Sequence, residues 1–131
     1  MIGLDTNILV RFLTMDDPVQ SPRAAQILEV VLSDEEPGFV SSVVLAETAW
    51  VLASNFGQGR AAVAEAMEGL LRLNNLQLEH PRAAAAAVTA SMDESADFAD
   101  ALIGAIAAEA GCTRTLTFDR RASRLPGFEL A

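Results

Sequence analysis

The chain has 131 residues, enough for one domain around a single core, and 51% of them are hydrophobic, which excludes a disordered polymer. Its nine basic residues are all arginine. Chemistry that needs a lysine at the reacting group is therefore excluded: Schiff-base enzymes, P-loop hydrolases, protein kinases, and the haloacid-dehalogenase and response-regulator phosphotransfer folds. Eighteen acids leave a net charge of −9, so any polyanion must be bound locally against an average repulsion.

Met1 to Leu4 is a short apolar run that reads as a strand, and Thr6 to Leu13 places Ile8, Leu9, Phe12 and Leu13 at helical spacing. Asp16, Asp17 and Pro18 predict a turn. Ala24, Ala25, Ile27, Leu28, Val31 and Leu32 then trace one face of a second helix, closed by Glu35 to Gly38. Phe39 to Ser41 is a candidate strand, followed by a helix from Ser42 to Asn55 that breaks at Gly57 and Gly59. Val63, Ala66, Met67 and Leu70 mark another helix, Leu76 to Glu79 alternates as a strand does, and Pro81 opens an alanine-rich helix running toward Met92. Asp97 to Ala110 predicts a helix ended by Gly111, Thr113 to Phe118 a β-branched strand, and Phe128 to Leu130 a last edge strand. This alternation predicts an α/β domain over 1–131, with a small, mainly parallel sheet flanked by helices on both faces.

The longest stretch without a charged side chain, Thr48 to Gly59, has 12 residues, whereas a membrane-spanning helix takes ~20 apolar ones. Cys112 has no second cysteine to pair with, and the amino terminus has no basic leader; both point to a cytoplasmic protein with no membrane partner. Cys112, Trp50, Phe12, Phe39, Phe56 and Phe98 sit in apolar patterns and are expected in the core. His80 has no second His or Cys ligand and is expected to cap a helix or lie on the surface.

Glu47 carries the most information, because its neighbours at i±3 and i±4 on the predicted helix are Val43, Val44, Trp50 and Val51. An ionised carboxylate in an apolar surround needs a cation or donors to compensate it, unless it snorkels to solvent. Asp5 and Asp119 each follow an apolar strand, and the crevice beyond the carboxyl ends of parallel strands is where open sheets bind ligands. As alternatives, Asp5 would cap the next helix and Asp119 would hold a turn or pair with Arg120 or Arg121. Asp97 and Asp100 share a helix face, and the helix dipole accounts for Asp97 better than for Asp100, a turn further in. Four or five such carboxylates, with no lysine or second histidine to neutralise them, predict a hard divalent cation, Mg2+ or Mn2+. Without a phosphate-cradling glycine loop, that donor set suits metal-assisted phosphodiester hydrolysis.

Four segments, Asp5-Thr6-Asn7-Ile8-Leu9-Val10, Leu45-Ala46-Glu47, Asp97-Phe98-Ala99-Asp100-Ala101-Leu102-Ile103 and Thr117-Phe118-Asp119, occur in the order found in PIN-domain ribonucleases. The chain most resembles the VapC-type toxin subunits of bacterial and archaeal toxin–antitoxin pairs, over nearly its whole length. The resemblance implies a PIN-like fold, an acidic pocket for Mg2+ or Mn2+, and endoribonuclease activity on structured RNA of the tRNA or rRNA class. It also implies a small antitoxin partner and a homodimer. By position, the family's four catalytic and metal-binding acids match Asp5, Glu47, Asp100 and Asp119, while Asp97 matches an acid many members carry on the same helix. Thr6, Asn7 and Thr117 fall where polar residues support the carboxylates.

An RNA enzyme of this charge needs local cations. Cys112 to Ala131 holds Arg114, Arg120, Arg121 and Arg124 against Asp119 and Glu129, a balance of 4 − 2 = +2, and Arg11 follows the first motif. These five arginines are the expected RNA contacts, with pairing to surface acids as the alternative. Two other readings stay open: a housekeeping PIN nuclease of RNA processing without an antitoxin, and a catalytically inactive PIN-like interaction module.

Overall fold

Strand and helix alternate along the chain in the computed structural model, which describes residues 1–94 and 96–131. The order is β1 (Ile2–Gly3), α1 (Thr6–Thr14), α2 (Gln20–Gln26), β2 (Gly38–Val40), α3 (Ser42–Asn55), α4 (Arg60–Leu71), β3 (Leu76–Leu78), α5 (Pro81–Asp93), α6 (Phe98–Glu109), β4 (Thr115–Thr117) and β5 (Phe128–Leu130). Every strand pairing among the described residues is parallel, with α-helical crossovers joining β1, β2 and β3 and a short 3-10 turn at Ala122–Arg124 between β4 and β5. β1, β2 and β3 form one sheet in that order, with Ile2 opposite Gly38 and Gly38 opposite Leu76. β4 and β5 form a second, two-stranded sheet with Thr115 opposite Phe128, so the expected single sheet is divided in two among the described residues.

Local chemistry explains most element boundaries. The Ser41 hydroxyl accepts the Val44 N–H at 3.2 Å and caps α3, Pro81 occupies the first turn of α5 where its missing N–H costs nothing, and Gly111 ends α6 at φ 96°. α2 departs from expectation: it runs into a π-helical turn over Ile27–Val31, with the Leu32 N–H donating to the Ile27 carbonyl at 3.0 Å. Ala24, Leu28 and Leu32 are buried as predicted, but Val31 is exposed.

Leu9, Val40, Leu52, Met67 and Leu70 are fully buried, each contributing roughly 1.5–3 kcal/mol by area removed from water. Ala83, Ala84 and Ala87 let α5 pack closely against α4 and α6. On α6, Gly104 lies so close to the Phe128 ring that a Cβ there would overlap it, which seats β5 against the helix. The Thr48 hydroxyl donates to the Val44 carbonyl at 2.7 Å, and no buried side-chain polar atom among the described residues lacks a partner.

Two core expectations are corrected. Trp50 is 63% exposed, because α3 is apolar nearly all round and buries only its Leu45, Thr48, Ala49 and Leu52 face. Cys112 is exposed in the loop past Gly111. Phe98 is buried, and Phe12, Phe39 and Phe56 are half-buried. Among the described residues no helix is long and apolar enough to cross a membrane.

Candidate active site

Asp5 follows β1 and caps α1, its Oδ1 accepting the Thr6 N–H at 2.7 Å while the residue stays exposed. Thr6 is buried and donates its hydroxyl to Glu47 Oε1 on α3. One threonine thus ties the first two acidic motifs together. Asp5, Asn7, Arg11 and Glu47 line an open cavity of ≈ 430 Å³. Glu47 does not lie in an apolar surround as its neighbours suggested: it is exposed, on a face shared with Val43 and Trp50, which are themselves exposed.

The other acids gather at α6 and β4. Asp97 caps α6 by accepting the Asp100 N–H at 3.0 Å, the role the helix dipole assigned it. Asp119 follows β4; its Oδ1 accepts the N–H of Arg121 at 2.8 Å and of Ala122 at 3.1 Å, and its own N–H donates to Thr117 Oγ1 at 3.0 Å. It therefore holds the turn through backbone N–H groups rather than pairing with an arginine side chain. Asp100, half-buried, accepts no side-chain hydrogen bond among the described residues. Burial holds its carboxyl above the ordinary 3.8, the charges of Asp97 and Asp119 raise it further, and Arg60 opposes them. Arg60, at the start of α4, was missed by sequence reasoning because no local pattern announces a contact made only by tertiary packing.

The structure brings Asp5 beside Glu47, and Asp97 and Asp119 around Asp100. Among the described residues no three His, Cys, Asp or Glu side chains stand close enough together to hold a metal ion as they lie. The donor chemistry nonetheless suits a hard cation: every candidate ligand is a carboxylate, and Asp100 experiences a local excess of negative charge that a cation would relieve.

The expected RNA contacts divide as well. Arg11 bonds both Asp16 oxygens at 3.1 and 3.2 Å and Gln20 at 2.9 Å, and Arg114 bonds both Glu129 oxygens at 3.1 Å. The side chains of Arg120, Arg121 and Arg124 make no hydrogen bond or ion pair among the described residues. Arg121 and Arg124 line a second cavity of ≈ 290 Å³ with Arg60 and Glu94. His80 Nδ1 lies 3.0 Å from Glu109 Oε2 in a surface pair. The Asn7 side chain makes no hydrogen bond among the described residues, the Thr6 hydroxyl donates to the Glu47 carboxylate, and the Thr117 hydroxyl accepts the Asp119 backbone N–H rather than meeting its carboxylate.

Comparison with protein families matches residues 2–127 to the PIN domain, and no curated protein matches the chain. PIN domains are in general metal-dependent nucleases that bind RNA. The match covers nearly the whole chain and agrees with the parallel α/β architecture. This protein belongs to the PIN-domain family.

Proposed function

We propose that this protein is a Mg2+- or Mn2+-dependent endoribonuclease, and the toxin of a two-protein system in the cytoplasm. The observation that carries the reading is Asp100, whose carboxyl is pushed up by burial and by two neighbouring acids, a charge imbalance that invites a divalent cation. Asp5, Glu47 and Asp100 would hold the principal cation; Asp119, with Asp97, would complete a second site or orient the attacking water. Bound there, a cation supplies activation of water and neutralises charge that builds on the phosphate oxygens. The chain's own residues do the positioning. Thr6 holds Glu47 through its hydroxyl, Thr117 and the N–H groups of Arg121 and Ala122 fix Asp119, and Arg121 and Arg124 offer charge to phosphates. Hydrolysis adds water across one P–O bond, leaving a phosphate on one RNA end and a hydroxyl on the other.

The acidic pocket also suggests how the enzyme is silenced: an antitoxin arginine pairs bidentately with the carboxylates where a cation would stand. Exposed Val19, Val30, Val43 and Trp50 leave apolar surface for a two-fold dimer, which a solution mass near 13.9 kDa by light scattering would refute. The test of activity is incubation of purified protein with total RNA and either cation, with cleaved ends mapped, beside Glu47→Gln. Discrete cuts that vanish with chelator and in the variant support the reading. No cleavage by a cooperatively melting protein would favour an interaction module instead. A tight inactive complex with the product of a neighbouring short reading frame favours the toxin over a housekeeping nuclease.

A further inference from the structure

Phe118 is 88% exposed, more than any other large apolar side chain among the described residues, and the hydrophobic core does not take it in. An aromatic ring ordinarily finds burial, so one displayed in water next to a candidate catalytic acid calls for an occupant. The turn that displays it is rigidly tied. Asp119, the next residue, is held by three hydrogen bonds to Thr117, Arg121 and Ala122, and Ala122 and Leu125 anchor the following turn in the interior. The same turn carries Arg120, Arg121 and Arg124, whose side chains make no hydrogen bond or ion pair among the described residues, and two of them line the ≈ 290 Å³ cavity with Arg60. A ring beside several cations is the combination that grips single-stranded nucleic acid, the ring stacking on a base and the cations tracking phosphates. In a duplex the bases are already stacked on one another and offer no free face.

We propose that Phe118 is a stacking platform for an unpaired base of the RNA, beside Asp119 and with the phosphates running along Arg120, Arg121 and Arg124. The inference rests on the nuclease reading and adds to it a residue that grips the substrate. Phe118 acts here as a positioning residue.

The test measures binding of a short fluorescein-labelled single-stranded oligoribonucleotide by anisotropy, in chelator so that no cleavage occurs, for the wild type and for Phe118→Ala, Phe118→Trp and Phe118→Leu. Loss of the ring should weaken binding by roughly five- to a hundredfold while leaving the salt dependence unchanged, because no phosphate contact is removed. Phe118→Trp should keep the affinity and Phe118→Leu should not restore it. The same oligonucleotide annealed into a duplex should bind weakly to all four proteins. Melting temperatures should stay together, since the ring is 88% exposed and lies outside the hydrophobic core. Wild-type affinity in Phe118→Ala, or equal rescue by Leu and Trp, overturns the stacking platform. So does a change in solution mass of Phe118→Ala at unchanged RNA affinity, which would assign the ring to a protein interface. If the wild type cleaves RNA while Phe118→Ala binds and cleaves equally well, the nuclease reading stands and the platform falls; a wild type that neither binds nor cleaves RNA overturns both.

Discussion

At α1 and α3, Asp5 and Glu47 share Thr6, one taking its N–H and the other its hydroxyl, so each acid has a donor before any ligand arrives. At α6 and β4 the donors are spent differently. Asp97 serves the helix terminus and Asp119 serves its own turn, while Asp100 is left half-buried between two like charges with its carboxyl pushed up. The Asp5–Glu47 pair is tied together by one threonine, whereas Asp100 keeps an electrostatic deficit that a cation would relieve. Two donors on one threonine couple Asp5 to Glu47, and the Asp100 carboxylate has no such donor among the described residues.

The largest expected effect is common to both halves. Glu47→Gln and Asp100→Asn should each lower RNA cleavage by about a hundredfold or more, since each removes a proposed ligand rather than a support. A wild-type cleavage rate in either variant removes that residue from the site. Thr6→Val keeps the volume but deletes the hydroxyl, and should cost about 10- to 100-fold in cleavage or Mn2+ affinity by loosening Glu47. If Thr6→Val cleaves as fast as the wild type, the α1–α3 half is not held by its shared donor.

Mn2+ at a hundredfold excess over its Kd should stabilise the folded wild type by about 2.7 kcal/mol, seen as a raised melting temperature, and Asp100→Asn should lose the shift. Without metal the order should invert. Folding raises the Asp100 pKa, so the stability linked to its protonation is present below 3.8 and lost as the pH rises through the folded-state value. Asp100→Asn should therefore melt above the metal-free wild type at neutral pH and lose that advantage in acid. A constant offset across the pH scan would show that the carboxylate charge is not responsible.

Asp17, outside the site, gives the smallest effect and the opposite sign. It accepts the Gln20 N–H at 2.6 Å and the Val19 N–H at 2.9 Å at the start of α2, and these bonds lower its pKa. Its contribution is present above 3.8 and lost as the pH falls through the folded-state value, so Asp17→Ala should lie slightly below wild type in melting temperature at neutral pH and converge with it in acid. A gap that widens in acid would reverse the sign.

How much of this was legible in the sequence depended on whether the cause was local. α3 ran from Ser42 to Asn55 as predicted because Ser41 is a cap and Gly57 a break, and Pro81 and Gly111 marked α5 and α6 for equally local reasons. The π-helical turn at Ile27–Val31 was illegible, since Ala24, Leu28 and Leu32 repeat at a spacing that an ordinary helix also satisfies. The second sheet was hidden because three-residue strands carry too little pattern to name their partners. Trp50 and Cys112 failed because apolar character permits burial without compelling it. In the candidate site the five acids were visible by type and spacing, but the pairing of Asp5 with Glu47 through Thr6, and the place of Arg60 beside Asp100, arise from contacts between segments far apart in sequence.

Gly104 extends that lesson to sequence drift. Alanine ordinarily suits a helix interior better than glycine by about 1 kcal/mol, and exposed Gly69 in α4, with open space around it, should accept the exchange readily. At position 104 the added methyl would press into the Phe128 ring and push β5 away from α6. In a saturation library selected only for folding, 104 should reject alanine while 69 welcomes it. The ban at 104 should lift in clones that carry a smaller residue at 128, an epistatic pair joining the middle of a helix to the last strand of the chain.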